Sequence, residues 1–258
     1  MAFSPPPAPW RVPLRQRRAP VVEPVVELNR IRVRDNGEPL VDALARVPEA
    51  VVHPDRLDYR KTSPHRFHGR AAVVEMLARA QAALPRGYRL MLWGIYRSLE
   101  DQIKIYTEVY EGFKKAHPHW PHNVLRRQTN RFVHPPDIKT PPGHSTGGAV
   151  DLSLVGPDGQ PLNMTAPYDA QSEERRKVAA TFSPLLGVEA RAHRALLIRA
   201  MDAAGFSNYA GEWWHWSYGD SCWAWRVGRK AACYGPVAPP GEDETSPAPT
   251  GRGRHPKR

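Results

Sequence analysis

The placement of proline does more than any other feature to bound what this chain can fold into. Of 28 prolines in 258 residues, seven lie within residues 1–24 and six within residues 236–258. Proline locks φ and removes a backbone donor, and the residues around these prolines are polar and arginine-rich at both ends. Such segments bury too little apolar surface to offset their chain entropy. The expectation is one folded domain over residues 25–235, flanked by disordered tails over 1–24 and 236–258.

Composition narrows the class of that domain. Hydrophobic residues at 41% and charged residues at 24% are globular proportions. Cys222 and Cys233 are the two cysteines, too few for a disulfide framework and wrongly spaced for a zinc ribbon. No apolar run reaches transmembrane length, and the opening MAFSPPPAPWRVPLRQRRAP has no apolar stretch of the secretory kind. A cytoplasmic protein with no membrane partner is therefore expected. The net charge of +11 comes without a dense basic block or a recognition motif, so nucleic acid is not the expected partner either.

Periodicity predicts helices over 71–84, 99–113 and 189–204. The first carries Val73, Val74, Leu77, Ala80 and Leu84 on one stripe and meets Pro85-Arg86-Gly87. The second has apolar residues at 99, 103, 106, 110 and 113, which reads as its buried face. The third is followed by Gly205, placed as a left-handed cap. Strands are expected over 88–93, 149–154 and 213–218. The order is not a regular βα alternation, so the fold class is α+β: a single domain with a small, mostly antiparallel sheet flanked by helices and a cleft for the site. The polar stretch 117–140 reads as a long loop with solvated histidines at 117, 119, 122 and 134.

Two constellations carry chemistry. In Gly143-His144-Ser145-Thr146-Gly147-Gly148-Ala149-Val150-Asp151, a histidine in a Gly-rich turn precedes a carboxylate set in an apolar strand. A carboxylate buried there costs several kcal/mol unless a counter-charge or a metal accompanies it. In Gly211-Glu212-Trp213-Trp214-His215-Trp216, a glutamate and a histidine three residues apart are flanked by indoles. A catalytic zinc takes three protein ligands and leaves a position for water, and a nearby base removes that water's proton. His144, Asp151 and His215 would be the ligands and Glu212 the base. On a flat strand Glu212 and His215 face opposite ways, so a bulge or a strand end is needed to bring them to one metal. The competing readings are a structural Asp151 held by backbone N–H groups and a core histidine in an aromatic strand. In Tyr96-Arg97-Ser98-Leu99-Glu100-Asp101-Gln102, Ser98 fits a helix N-cap and the acids suit the first turn. Arg97 is left over, either for an oxyanion or carboxylate or for a surface ion pair.

Taken together, GIYRSLEDQ, GHSTGGAVDLSL, PLNMTAPYD and GEWWHWSYGD, in that order, resemble the zinc D-alanyl-D-alanine dipeptidases, within a wider group of D-Ala-D-Ala-cleaving and lysostaphin-like metallopeptidases. The resemblance spans roughly Gly87 to Tyr234. It implies one zinc ion on His144, Asp151 and His215, with Glu212 as general base and acid and Arg97 on the tetrahedral oxyanion. It also implies Asp169 as the partner of the substrate's free ammonium. Pro142 stands where the family usually has a serine that helps hold the substrate carboxylate, which leaves Ser145 and Thr146 as hydroxyls for that end. The implied activity is hydrolysis of D-Ala-D-Ala in cell-wall precursor turnover or glycopeptide resistance. The alternatives are a carboxypeptidase or endopeptidase acting on longer peptidoglycan peptides and, from another class, a non-catalytic protein binding wall fragments or anionic polymers.

Overall fold

The computed structural model describes residues 23–165 and 177–239. Most of both expected tails, and Asp169, lie outside the described residues. The folded part reaches slightly beyond the expected 25–235, since Glu23 pairs with Arg226 at 2.5 Å and the Val237 N–H donates to the Ser145 carbonyl at 3.1 Å.

The strands are β1 (Arg32–Val33), β2 (Leu40–Asp42), β3 (Val51–Val52), β4 (His68–Arg70), β5 (Arg89–Gly94), β6 (Ala149–Val155), β7 (Ser207–Asn208), β8 (His215–Ser217) and β9 (Ala231–Ala232). Five form the central sheet, in the order β3-β5-β6-β8-β7, in which only the β3–β5 pair is parallel. Two small pairs, β2 with β4 and β1 with β9, stand beside it. Among the described residues, the helices longer than one turn are α1 (Ala71–Ala82), α2 (Leu99–Ala116), α3 (His122–Thr129), α4 (Val188–Ala204) and α5 (Ser221–Arg226). The expected α+β class, with a mostly antiparallel sheet flanked by helices, is what the chain forms.

β6 organises the molecule because all seven of its residues are buried. Side chains alternate between the faces of a strand. Val150, Leu152 and Leu154 join Leu90 and Leu92 of β5 in the main core, together with Val73, Leu77 and Ala80 of α1 and Leu197, Ala200 and Met201 of α4. Residues 149, 151, 153 and 155 fall on the other face. The alternation thus sends Asp151 away from the helices that seal the core. Among the described residues, no helix is long and apolar enough to cross a membrane.

Helix boundaries follow local chemistry. Ser98 caps α2 by accepting from the Asp101 N–H at 3.0 Å, with Glu100 and Asp101 in the first turn and Lys114 and Lys115 in the last. α4 ends on Gly205, whose φ of 102° is left-handed.

Three expectations need correction. The buried residues of α2 are Gln102 and Tyr106, whereas Ile103 of the expected apolar stripe is 51% exposed. The supposed loop 117–140 contains α3, which packs on α2 through Leu125 and Thr129, with the Tyr106 hydroxyl on Asn130 at 2.7 Å. Within the same stretch, His134 is not a solvated side chain. Its Nε2 sits 3.1 Å from the Thr140 carbonyl, and burial pushes its pKa below the usual value.

Candidate metal centre

The site is assembled by strand register. Asp151 pairs with Gly94 on β5 and with His215 on β8. Directly opposed residues of an antiparallel pair project to the same face, about 4.5–5.5 Å apart at Cβ, so register alone delivers the His215 imidazole to the Asp151 carboxylate. The expected strand over 213–218 is only β8. Glu212 to Trp214 lie in a turn, where the Glu212 N–H donates to the Tyr209 carbonyl at 3.0 Å and the Trp213 N–H to the Ala179 carbonyl at 3.0 Å. The strand end that Glu212 and His215 require is therefore present, and both line one cavity. A register shift between Leu92 and Gly94 adds a bulge on the other side of Asp151.

His144 comes from a single 3-10 turn, Gly143–Thr146, just before β6. Its Nδ1 lies 2.7 Å from the Ile95 carbonyl. A carbonyl only accepts, so Nδ1 carries the hydrogen and Nε2 offers its lone pair. That Nε2 lies 3.2 Å from Asp151 Oδ2, and His215 Nδ1 lies 2.9 Å from Asp151 Oδ1. The three potential ligand atoms fall within 4.8 Å of one another. A set of two imidazoles and a carboxylate this compact, with one ring already oriented by a backbone carbonyl, fits a divalent transition metal.

The electrostatics agree with that fit. Burial pushes His144 down to about 4, although Asp151 pulls the other way. Burial alone would raise the Asp151 carboxyl, but the two imidazoles hold it well below the usual carboxylate range. Burial would likewise lower His215, but its hydrogen bond to Asp151 and the charges of Asp151 and Glu212 together outweigh that and raise it. Asp151 is therefore ionised and His144 neutral, and because a carboxylate only accepts, His215 Nδ1 carries the hydrogen that it directs at Asp151 Oδ1. A metal taken up here displaces that proton.

A cavity of about 550 Å³ opens on this face, lined by Arg97, His144, Asp151, Glu212, Trp214 and His215, among others. The Arg97 N–H donates to the His144 carbonyl at 3.2 Å, and its Nη1 donates to Gln102 Oε1 at 3.0 Å. Its Nε is buried with no hydrogen-bond partner among the described residues, leaving donor capacity beside the ligands. Trp93 and Trp213 meet edge to face at 5.3 Å, and Trp93 lies 6.0 Å from Trp214, which lines the cavity, so three buried indoles cluster beside this part of the face.

The two expected substrate hydroxyls are placed otherwise. Ser145 Oγ donates to the Pro142 carbonyl at 2.8 Å and Thr146 Oγ1 to the Gly143 carbonyl at 2.6 Å, and both residues are buried. They close the turn that carries His144 and do not line the cavity. Gln102 is a site residue that sequence reading missed. Buried to 2% exposure, it holds Arg97 with its oxygen and the His134 carbonyl with its nitrogen at 2.8 Å. Its only sequence signal is a polar residue breaking the helical face of α2.

Comparison with known proteins gives consistent matches. The profile of a family described as D-ala-D-ala dipeptidase matches residues 61–234. The D-alanyl-D-alanine dipeptidase of Synechocystis sp. is 28% identical over 244 residues, covering 80% of this chain and 95% of that protein. The enzyme of the same name from Enterococcus faecalis is 28% identical over 156 residues, or 59% of this chain and 73% of that protein. One from Escherichia coli is 33% identical over 79 residues, 31% of this chain and 39% of its own length.

Proposed function

The chain belongs to the D-ala-D-ala dipeptidase family of metal-dependent peptidases, and on that premise we propose that it hydrolyses D-alanyl-D-alanine to two molecules of D-alanine with a single zinc ion. The observation that carries the reading is the convergence of His144 Nε2, Asp151 and His215 Nδ1 within 4.8 Å, on a cavity that Glu212 and Arg97 share. These three side chains would hold the ion. Bound there, zinc would supply Lewis acidity toward the scissile carbonyl and lower the pKa of water at the open position.

Glu212 takes the proton from the attacking water as its oxygen bonds to the carbonyl carbon. When the C–N bond breaks, Glu212 returns that proton to the leaving amine. Arg97, anchored through Gln102 and the His144 carbonyl, meets the negative charge that develops on the carbonyl oxygen. The Trp93, Trp213 and Trp214 indoles hold the dielectric low on this side, which strengthens both effects. Asp169 is the proposed partner of the substrate ammonium, which would favour a free dipeptide over an acylated chain.

The test is release of D-alanine by zinc-loaded protein from D-Ala-D-Ala and, in parallel, from N-acetyl-D-Ala-D-Ala. Cleavage of the free dipeptide alone is the expected result. Equal cleavage of both would replace the dipeptidase reading with one of action on longer peptides, and no cleavage of either would overturn the substrate.

A further inference from the structure

Of the five arginines among the described residues that line the cavity, Arg56, Arg66, Arg97, Arg131 and Arg226, Arg66 owes its position to a missing side chain. Gly94 is the register partner of Asp151, so any side chain at position 94 would project beside the Asp151 carboxylate, on the metal face. Gly94 has none, and Arg66 occupies the space. A Cβ built on Gly94 would collide with Arg66 Nε and would stand 3.0 Å from Cζ and 3.1 Å from Nη2. The guanidinium end of Arg66 therefore packs against β5 at Gly94, one strand away from Asp151. Arg66 lines the same cavity as Arg97, His144 and Glu212.

The backbone fixes it there. The Arg66 carbonyl accepts from the Ile95 N–H at 2.8 Å and the Tyr96 N–H at 3.1 Å, while the Ile95 carbonyl accepts from His144 Nδ1. One short peptide stretch thus sets Arg66, His144 and Arg97 relative to one another. A dipeptide undergoing hydrolysis presents two negative centres to such a wall: the oxyanion that develops at the scissile carbonyl and the permanent C-terminal carboxylate. Arg97, tied to the His144 carbonyl, is placed for the first. Ser145 and Thr146 spend their hydroxyls inside their own turn and offer nothing to the second.

We propose that Arg66 is the residue that reads the substrate's C-terminal carboxylate, through the planar fork that matches a carboxylate with two parallel hydrogen bonds, and that Gly94 is the space that admits it. The inference rests on the dipeptidase reading above and adds a specificity determinant to it. It predicts an enzyme that selects for a free C-terminus at the residue it releases.

The test compares D-Ala-D-Ala with its C-terminal amide, by steady-state kinetics and by calorimetric titration, in wild type, R66M, R66K and G94A. Wild type should favour the acid. In R66M the acid-over-amide ratio of kcat/KM should fall about 10- to 100-fold, as expected for a charge-assisted pair, with the change in KM for the acid and not in kcat. R66K should recover part of the ratio. G94A, whose new methyl displaces the guanidinium without removing it, should lower the ratio in the same direction. An unchanged ratio in both R66M and G94A, or a loss confined to kcat, would overturn the proposal. Wild type that binds the acid better than the amide but cleaves neither would overturn the dipeptidase reading and leave Arg66 standing.

Discussion

Two arginines, Arg70 under the site and Arg97 on its wall, show how one side-chain type is put to opposite uses. Arg70, at the end of β4, is 1% exposed and fully committed. Its Nε donates to the Thr146 carbonyl at 2.8 Å, its Nη1 to the Glu38 carbonyl at 2.5 Å, and its Nη2 to Asp35 at 2.6 Å and to the Gly235 carbonyl at 3.0 Å. It ties the His144 turn to both ends of the described chain. Among the described residues, Arg97 has one side-chain partner, Gln102, a buried Nε without one, and a cavity that it lines. A saturated guanidinium is a fastener. One with donors to spare at a cavity beside metal-ligand geometry is available for chemistry.

Substitution should separate the two roles. Arg70→Met should cost about 3 kcal/mol of folding stability, at the low end of the range for breaking a buried pair because Asp35 stays partly solvated. That corresponds to a Tm lower by roughly 6–12 °C for a domain of this size. kcat measured well below that Tm should change by less than about fivefold, because none of Arg70's bonds reaches the reacting atoms. Arg97→Met should do the reverse, lowering kcat by about 10²–10³-fold, as for loss of an oxyanion donor, with little change in Tm. Loss of activity in Arg70→Met at full Tm, or a collapse of Tm in Arg97→Met, would erase the contrast.

The smallest effect lies at the acid end of the fastener. Burial works to raise the Asp35 carboxyl, but N–H donors from Gly235 and Gly37 and the Arg70 guanidinium bring it below its ordinary value. A carboxyl depressed on folding adds stability above its unfolded pKa and loses it as pH falls through the folded value. The Tm gap between wild type and Asp35→Asn should therefore narrow from about pH 6 to about pH 3. With Asp35 36% exposed, the gap should be small throughout, and a constant gap would contradict the linkage.

Much of this was legible in the sequence, for identifiable reasons. Val150, Leu152 and Leu154 alternate with Asp151, so β6 and its odd carboxylate could be read from period two alone. α1 and α4 carry enough aliphatic residues at helical spacing for their buried faces to be unmistakable, and Gly205 ends α4 as its position suggested. What could not be read depended on partners far along the chain. Gln102 occupies a buried position of α2 because its amide bridges Arg97 and the His134 carbonyl, so the apolar stripe was right at Tyr106 and wrong at Ile103. α3 buries only Leu125 and Thr129 of its eight residues, too few for a periodic signal in HNVLRRQT. The turn over Glu212–Trp214 is fixed by the Tyr209 and Ala179 carbonyls, which aromatic composition does not reveal. Arg66 entered the site through a glycine one strand away, a relation visible only once β5 and β6 are in register.

The most direct test of the account is a paired measurement on wild type and Glu212→Gln: zinc per chain after dialysis, and D-alanine release from D-Ala-D-Ala. If His144, Asp151 and His215 hold the ion and Glu212 moves the proton, both proteins will retain about one zinc per chain, while the variant loses about 10³–10⁴-fold in kcat. A variant that loses its zinc along with its activity would make Glu212 a ligand. A variant that keeps both would remove it from the chemistry.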